Sequence, residues 1–337
     1  MKDIANYSLL EHNTFGIDAT CRRFIEYSSV AEAEETVASL TPQDAPLLLI
    51  GSGSNLLLTK NFSGTVLHSA IKGITSSVAG DDILVRCGSG EVWDDVVECC
   101  VCNGWYGAEN LSLIPGEVGA SAVQNIGAYG MEAKDIIYSV EAIEIATGKH
   151  HTFYNEDCCY SYRQSRFKRD WKDKYIITYV TYRLSTTFTP MLGYGNIREQ
   201  LSKSGIETPT ARQLRSAIID IRNAKLPDPK VEGNAGSFFM NPVVSMDKFR
   251  ELQALYPEMP HYQVDSCHEK IPAGWMIEKC GWKGKTLGRA GVHSKQALVL
   301  VNKGGATGND IITLCNAVRK DVAERFGIDL HPEVNFV

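Results

Sequence analysis

The chain has no hydrophobic segment long enough to span a membrane. Its longest aliphatic runs, Leu47–Ile50 and 297–301, are far shorter than the ~20 apolar residues of a spanning helix. The first residues have no apolar stretch typical of a signal peptide, so we expect a cytoplasmic protein without a membrane partner. Charge of one sign is also scarce, since 34 Lys and Arg oppose 40 Asp and Glu, a net charge of −6. This mild acidity argues against a nucleic-acid-binding surface.

The ten cysteines lack the spacing of a metal site. Cys99, Cys100 and Cys102, and the neighbours Cys158 and Cys159, do not follow the patterns that surround a tetrahedral metal. Without a secretory context we expect reduced, mostly packed thiols and no bound metal.

The chain also has no internal repeat, low-complexity tract or long block of like charge. With 44% apolar residues it has the composition of an ordinary globular protein rather than of a disordered or fibrous one. Its 337 residues exceed the roughly 250–300 that one hydrophobic core usually holds. We therefore expect two or three lobes, with a cleft between them.

Periodicity predicts strands in the first half of the chain and longer helices later. A buried strand at 47–50 leads into a glycine loop, a helix ends near Gly104, and alternation over 140–184 indicates a sheet. Pro209 is expected to open a helix, and another is expected along the apolar face from Ile311 to Phe326. The last residues, 330–337, read as a strand.

The first glycine loop is a weak signal by itself. Successive backbone N–H groups in such a turn can cradle phosphate oxygens. The loop has neither the third glycine of a dinucleotide-binding motif nor the Gly-Lys-Ser/Thr of a P-loop, and a tight turn between strands explains it equally well. Its residues are Gly51, Ser52, Gly53, Ser54 and Asn55.

The second glycine loop, residues 114–130, is more specific. Five small residues within seven positions let the backbone approach a ligand closely: Gly116, Gly119, Ala120, Ser121 and Ala122. Gln124 and Asn125 add amide donors and acceptors. Two such loops suit a large ligand with a diphosphate and a ring system.

Together these motifs resemble the MurB family of flavin-dependent UDP-N-acetylenolpyruvoylglucosamine reductases. The resemblance covers nearly the whole chain and rests on five segments in the family's order: residues 49–57, 114–130, 162–165, 233–239 and 332–334. It implies an α+β fold, with a two-part FAD-binding domain of the vanillyl-alcohol-oxidase type and a C-terminal α+β substrate-binding domain. We expect the FAD-binding domain at 1–205, with subdomains 1–70 and 71–205, and the substrate-binding domain at 206–337.

The resemblance also implies the cofactor site. The FAD diphosphate would lie against Gly51, Ser52, Gly53, Ser54 and Asn55 and against Pro115, Gly116 and Gly119. Gln124, Asn125 and Ile126 would lie near the flavin, and Arg222 would also contact the cofactor. No histidine in either loop suggests covalent attachment, so we expect a dissociable FAD.

The resemblance implies three catalytic residues. Arg163 has a planar guanidinium that can hold a carboxylate as it gains enolate character, although without the motif it would be read as a surface residue of a β segment. Ser237 would give a proton to the α-carbon, although a serine in such a loop is often only a turn or cap residue. Glu333, carried back by the C-terminal strand, would assist Arg163 or orient the proton transfer; alone it would be read as solvent-exposed.

Four further residues match positions that contact the substrate: Tyr194, Lys225, Asn241 and Gln296. Tyr194 corresponds to the mobile-loop tyrosine of the family's longer subtype. Two positions depart from the family, since Met240 stands where a lysine is common and Ser52 replaces a usual glycine. Each departure affects the expected affinity for ligands and neither removes a reacting group.

The implied reaction is NADPH-dependent reduction of UDP-N-acetylglucosamine enolpyruvate to UDP-N-acetylmuramate in peptidoglycan precursor synthesis. We expect a monomer whose partners are small molecules. Two alternatives stay open at this point: a flavin-dependent carbohydrate oxidase, and a non-catalytic sugar-nucleotide-binding protein.

Overall fold

Two structural units share the chain in the computed structural model, which describes residues 1–337. Unit 1 comprises Met1–Ser8, Thr20–Ser52 and Phe62–Ala224, and unit 2 comprises Leu9–Ala19, Gly53–Asn61 and Lys225–Val337. The residue bounds of the two units differ from those of the expected domains, since the helix after Pro209 belongs almost entirely to unit 1. The cofactor-binding and substrate-binding roles given to 1–205 and 206–337 stay predictions.

The strands are numbered in chain order. They are β1 (Lys2–Ser8), β2 (Thr20–Tyr27), β3 (Leu47–Ile50), β4 (Leu56–Leu57), β5 (Phe62–Ser69), β6 (Ile74–Ala79), β7 (Asp82–Gly88), β8 (Gly127–Ala128), β9 (Met131–Glu132), β10 (Ile137–Glu144), β11 (His150–Tyr154), β12 (Tyr175–Ser185), β13 (Val243–Ser245), β14 (Tyr262–Gln263), β15 (His268–Lys270), β16 (Thr286–Leu287), β17 (Ala290–Val292), β18 (Leu300–Asn302) and β19 (Asn335–Phe336).

The α-helices are α1 (Val30–Ser39), α2 (Trp93–Asn103), α3 (Val118–Gln124), α4 (Ile197–Lys203), α5 (Ala211–Lys225), α6 (Met246–Leu255), α7 (Ala273–Lys279) and α8 (Gly308–Phe326). None of them combines the length and the apolar composition needed to cross a membrane. Two ends follow simple local chemistry: Gly104 closes α2 in the left-handed conformation, and Thr307 caps the start of α8.

Unit 1 is built on two sheets. In the first, of order β1-β2-β5-β3, the strands β2, β5 and β3 run parallel and β1 is antiparallel. The second, of order β11-β10-β12-β7-β6, is antiparallel throughout. Helices α2 and α3 contribute to the core on this second sheet, where Trp93 packs edge-on against Tyr182 and both are 1% exposed. Trp93 N also donates to Gly116 O at 3.0 Å, which ties the start of the second glycine loop to this core.

Unit 2 has smaller sheets. Strands β13, β15 and β14 form one and β16, β17 and β18 form another, while β19 pairs in parallel with β4. Helix α8 buries one apolar face that includes Ile311, Val318 and Phe326. The pairing of β4 with β19 places the end of the first glycine loop beside the C-terminus of the chain.

Two local expectations were wrong in detail. The predicted strand at 330–337 is reduced to Asn335–Phe336, so Glu333 lies just before it. Arg163 is not in a β segment but in a turn, where its φ of +55° is left-handed. Ser161 and Gln164 exchange two backbone hydrogen bonds of 3.0 Å across this turn, so a local turn interrupts the expected extended segment.

Candidate active site

The first glycine loop begins where β3 ends, in unit 1. A Cβ atom on Gly51 would lie 2.8 Å from Oε2 of Glu117, which belongs to the second glycine loop. Only glycine therefore allows the two loops to approach this closely without a shift of Glu117. Ser52 follows and is partly buried.

The rest of the first loop lies in unit 2. A Cβ atom on Gly53 would lie 2.0 Å from the backbone oxygen of His12, and the φ of Gly53 is +65°. After Ser54, the Asn55 side chain donates to the backbone oxygen of Glu333 at 3.4 Å, and Asn335 N donates to Asn55 O at 3.1 Å. Unit 2 thus brings a predicted cofactor residue beside a predicted catalytic one.

Gly116 and Gly119 are positions in the second glycine loop where a side chain is unfavourable. Gly116, after Pro115, has a φ of +129°. Gly119 N donates to Ser89 O at 2.8 Å, and a Cβ on Gly119 would lie 3.1 Å from the Cβ of Ser89. Ile126 closes the segment, and its carbonyl accepts from Ala133 N at 2.7 Å. A side chain at either glycine would strain or crowd this turn.

Asn125 is fully buried and its side chain binds the protein itself. Its Nδ2 donates to Ser161 O at 2.9 Å and to Glu132 Oε2 at 3.2 Å, while its Oδ1 accepts from Lys134 N at 2.9 Å. Both amide hydrogens are therefore used. Its backbone is bonded as well, since its N–H donates to Ser121 O and its carbonyl oxygen accepts from Arg163 Nη1.

Arg163 lies beside the end of the second glycine loop. Its Nη2 donates to Gly127 O at 2.6 Å and its Nη1 to Asn125 O at 3.5 Å. A Cβ atom on Gly127 would lie 2.7 Å from Nη1 of Arg163, so the guanidinium occupies space that only a glycine leaves. The guanidinium also lies 5.2 Å from the ring centroid of Tyr162. These contacts fix its orientation.

Lys168 links the loop to the turn that holds Arg163. Its Nζ donates to Gln124 Oε1 at 2.7 Å and to Arg163 O at 3.2 Å. The bond to Arg163 O supports the left-handed backbone conformation of Arg163, which is unfavourable for a residue with a Cβ. Sequence reasoning missed Lys168, although it stands five residues after Arg163.

Arg222, on α5, is a cation of unit 1 with a side-chain nitrogen that lacks a hydrogen-bond partner. Its Nε is buried without a hydrogen-bond partner. Burial lowers its pKa, against the opposing effects of the Tyr129 side chain, which it hydrogen-bonds, and of Asp94. Tyr194 lies close to Gly130, the residue after Tyr129, because a Cβ atom on Gly130 would lie 3.3 Å from Tyr194 Cβ.

Ser237 is exposed in unit 2 between residues that are tightly held. Gly236 before it has a φ of +68°, and Phe238 after it is fully buried. Phe238 N donates to Leu298 O, and Phe238 O accepts from Glu333 N, both at 2.8 Å. The segments that carry Ser237 and Glu333 therefore lie side by side.

Asn241 and Gln296 meet at the start of α7. Asn241 Oδ1 accepts from Ala273 N at 2.9 Å, and a Cβ on Gly274 would lie 3.2 Å from Gln296 Oε1. Met240, next to Asn241 in the chain, is held by a hydrogen bond from its N to His331 O at 2.9 Å. Lys225 is the exposed last residue of α5. Ser237, Asn241, Gln296 and Glu333 thus occupy one region of unit 2, and Lys225 is not brought into it by any of these bonds.

Known proteins match both parts of the chain. The family model for the C-terminal domain of UDP-N-acetylenolpyruvoylglucosamine reductase matches residues 228–337, and an FAD binding domain matches 22–154. The UDP-N-acetylenolpyruvoylglucosamine reductase of Bacteroides fragilis strain YCH46 is 57% identical over 98% of this chain and 99% of its own. The chain belongs to the UDP-N-acetylenolpyruvoylglucosamine reductase family. It is therefore an FAD-dependent oxidoreductase of peptidoglycan synthesis.

Other relatives agree. The reductase of Porphyromonas gingivalis strain W83 is 49% identical over 98% of each chain, and that of Flavobacterium johnsoniae is 45% identical over 99% of each. The crystal structure of the MurB reductase from Thermus caldophilus covers 99% of this chain and 98% of its own with a TM-score of 0.68 and 21% identity, which shows the fold. The expected α+β class, with an FAD-binding domain and a C-terminal domain, is confirmed.

The residues of this reductase-family chain fit its FAD cofactor. Unit 1 offers close-packed backbone at Gly51, Gly116 and Gly119, where side chains are sterically excluded or strained. It also offers the unpartnered Nε of Arg222 as a donor. A donor without a partner inside a protein is costly unless a ligand satisfies it.

Proposed function

We propose that the protein reduces UDP-N-acetylglucosamine enolpyruvate to UDP-N-acetylmuramate, with NADPH as the reductant. The observation that carries the proposal is 57% identity to a reductase of that name over nearly the full length of both chains. A nucleotide-activated substrate and a nicotinamide reductant both suit a cytoplasmic enzyme, and we propose that it acts as a monomer on these small molecules.

The FAD would be held by the backbone of both glycine loops. For the diphosphate we propose Gly51, Ser52, Gly53, Ser54, Asn55, Pro115, Gly116 and Gly119. For the flavin side we propose Gln124, Asn125 and Ile126, with Arg222 as a further contact. The internal bonds of Asn125 hold the end of the second glycine loop in place.

When bound at these residues, FAD would supply hydride chemistry at N5, and the hydride would be added to the β-carbon of the enolpyruvyl group. Negative charge would then develop on the α-carbon and its carboxylate. Arg163 would hold this carboxylate, and a guanidinium fixed in advance stabilises developing charge without reorganisation. The bonds from Arg163 to Gly127 O and Asn125 O support this role.

Ser237 would complete the reaction by donating its hydroxyl proton to the α-carbon. Its exposure in unit 2 leaves the hydroxyl accessible to a substrate, and backbone bonds hold the adjacent Phe238 in place. Glu333, whose backbone N donates to the backbone oxygen of Phe238, would orient the proton transfer or assist Arg163. Tyr194, Lys225, Asn241 and Gln296 would bind the rest of the substrate.

The test is an anaerobic two-step experiment. NADPH is added to the purified holoenzyme until the oxidised-flavin absorbance disappears, and UDP-N-acetylglucosamine enolpyruvate is then added. We expect prompt return of the absorbance with formation of UDP-N-acetylmuramate. Flavin that stays reduced until air is admitted would favour a carbohydrate oxidase, and a protein that binds the nucleotide without turnover would favour a binding function.

A further inference from the structure

An imidazole lies between two carboxylates in unit 1. His68, on β5, is paired with Glu26 on β2, and its Nδ1 is 2.9 Å from Glu26 Oε2. Its Nε2 is 3.4 Å from Oε1 of Glu117. The side chains of His68, Glu26 and Glu117 are 11%, 17% and 13% exposed. The three groups therefore interact with little screening by water.

This cluster touches both glycine loops. Glu117 belongs to the second loop, and its other oxygen, Oε2, is the atom that a Cβ on Gly51 would approach to 2.8 Å. His68 is also the register partner of Ile50, the residue before Gly51. One carboxylate thus faces the first loop on one side and the imidazole on the other.

The protonation of His68 decides how the cluster can bond. A neutral imidazole has one N–H and can donate to one carboxylate, whereas an imidazolium can donate to both. The other charged or titratable groups around it are Lys2, whose Nζ is 2.6 Å from Glu26 Oε1, and the buried Tyr27 near Glu117. Burial alone would lower the pKa of His68, but the hydrogen bonds and charges of Glu117 and Glu26 outweigh it and raise that pKa.

We propose that His68 is a positioning residue for FAD: as an imidazolium it holds Glu117 against Gly51 and offsets the carboxylate charge beside the loop that binds the diphosphate. The inference rests on the proposed placement of the FAD diphosphate at the glycine loops. If His68 loses its proton, Glu117 presents an uncompensated negative charge to an anionic ligand.

The sign of the pH effect follows directly. An anionic diphosphate favours the charged imidazolium, so bound FAD raises the pKa of His68 further. FAD affinity is therefore highest where His68 is protonated and falls as the pH rises through its pKa. A rise of one unit in that pKa on binding corresponds to a tenfold change in affinity.

The experiment measures FAD release from the holoenzyme, as flavin fluorescence on serial dilution, between pH 6 and pH 9. We expect the Kd of the wild type to rise about tenfold across this range. His68→Gln should give a Kd that is independent of pH and close to the wild-type value at pH 9. Glu117→Gln should bind FAD more tightly than the wild type at pH 9, because no carboxylate charge remains to be offset, and its Kd should begin to rise at a lower pH, because His68 keeps only Glu26 as a partner.

The matched control is His261→Gln. His261 also faces a buried carboxylate, Glu269, at 3.0 Å, but it belongs to unit 2. This variant should keep the wild-type slope. Circular dichroism checks that each variant is folded, and Glu117→Gln carries the test if His68→Gln does not fold.

Two results would overturn the inference: a wild-type Kd that does not change with pH, or a His68→Gln protein that keeps the slope while binding more weakly at every pH. The second is the signature of a purely structural histidine. Failure of the proposed reaction is separate, because it appears as absent turnover of the UDP substrate in a protein whose Kd for FAD still follows the predicted profile.

Discussion

Strained backbone is concentrated near the proposed catalytic arginine. Asn125, Tyr129 and Arg163 all have left-handed φ values, between +48° and +55°, which cost of order 1–3 kcal/mol each for residues with a Cβ. Side-chain bonds hold each of them: those of Asn125 itself, one from Asn110 to Tyr129 O, and one from Lys168 to Arg163 O. These bonds hold the strained turns, and the bonds of the Arg163 guanidinium to Gly127 O and Asn125 O fix where it points.

At the same scale, Ser237→Ala tests the proton donor. The variant should reduce its flavin with NADPH at the wild-type rate, because that step does not use the hydroxyl. Oxidation of the reduced enzyme by UDP-N-acetylglucosamine enolpyruvate should slow by about 10²–10⁴, the usual contribution of general acid catalysis. Anaerobic stopped-flow absorbance measures both steps.

Ser245→Ala is the control for that experiment. Ser245 caps α6 by accepting from Lys248 N at 3.3 Å, so its loss should cost about 1 kcal/mol of stability without changing either half-reaction. Equal slowing of both steps in Ser237→Ala would rule out a specific role in proton transfer.

At the scale of elements, α7 depends on a residue outside itself. The Pro272 position before it provides no side-chain cap, and Ala273 N bonds to Asn241 Oδ1 instead. Asn241 thus has two separable tasks: its oxygen satisfies the helix, and its amide nitrogen is proposed to contact the substrate. A carboxylate at this position would keep the first task and lose the second.

Asn241→Ala should therefore lower the thermal midpoint by an amount equivalent to about 1 kcal/mol and also raise KM for the UDP substrate. Asn241→Asp should restore the midpoint, since its oxygen still accepts from Ala273 N, but not KM. Differential scanning fluorimetry and steady-state kinetics are the measurements. If KM recovers together with stability, Asn241 acts on the substrate only through α7.

The elements that were predictable are those with local causes. Helices α2 and α8 follow from apolar spacing closed by Gly104 and Gly327, and β3 from four aliphatic residues before a glycine. The turn of Arg163 was not predictable, because bonds to Gly127 and from Lys168 hold it. Nor was the meeting of His68 with Glu117, which lie 49 residues apart without a shared pattern.

At the scale of the whole molecule, carboxylates that are hydrogen-bonded to cationic side chains in both units should make the free energy of unfolding fall at acid pH. For each, burial would raise the pKa, but hydrogen bonds outweigh it: Arg215 and Leu113 N lower the pKa of Asp94 in unit 1, and Lys303 and His293 lower that of Glu232 in unit 2. Such groups stabilise the fold above their unfolded pKa, and this stabilisation is lost as the pH falls through the folded value.

Asp44 gives this dependence its sharpest test. Burial would raise its pKa, but hydrogen bonds from Thr41 and Arg23 outweigh burial and lower the pKa to about 2. Its side chain is 10% exposed, and Arg23 Nη1 lies 2.7 Å from Oδ1. Asp44→Asn should lower the guanidinium midpoint at pH 7, where the carboxylate is fully charged, and should make the further loss between pH 4 and pH 2 shallower than in the wild type.

Asp247→Asn is the matched substitution, since Asp247 is 96% exposed and its nearest cation, Arg250, is 3.7 Å away. This variant should follow the wild-type profile at every pH, because a solvated ion pair contributes little. Parallel profiles for Asp44→Asn and the wild type, offset by a constant amount, would show that Asp44 acts through hydrogen-bond geometry rather than through its charge. If only Asp44→Asn shows a smaller fall of the guanidinium midpoint between pH 4 and pH 2, the difference from the wild type comes from the Asp44 charge that Arg23 and Thr41 stabilise.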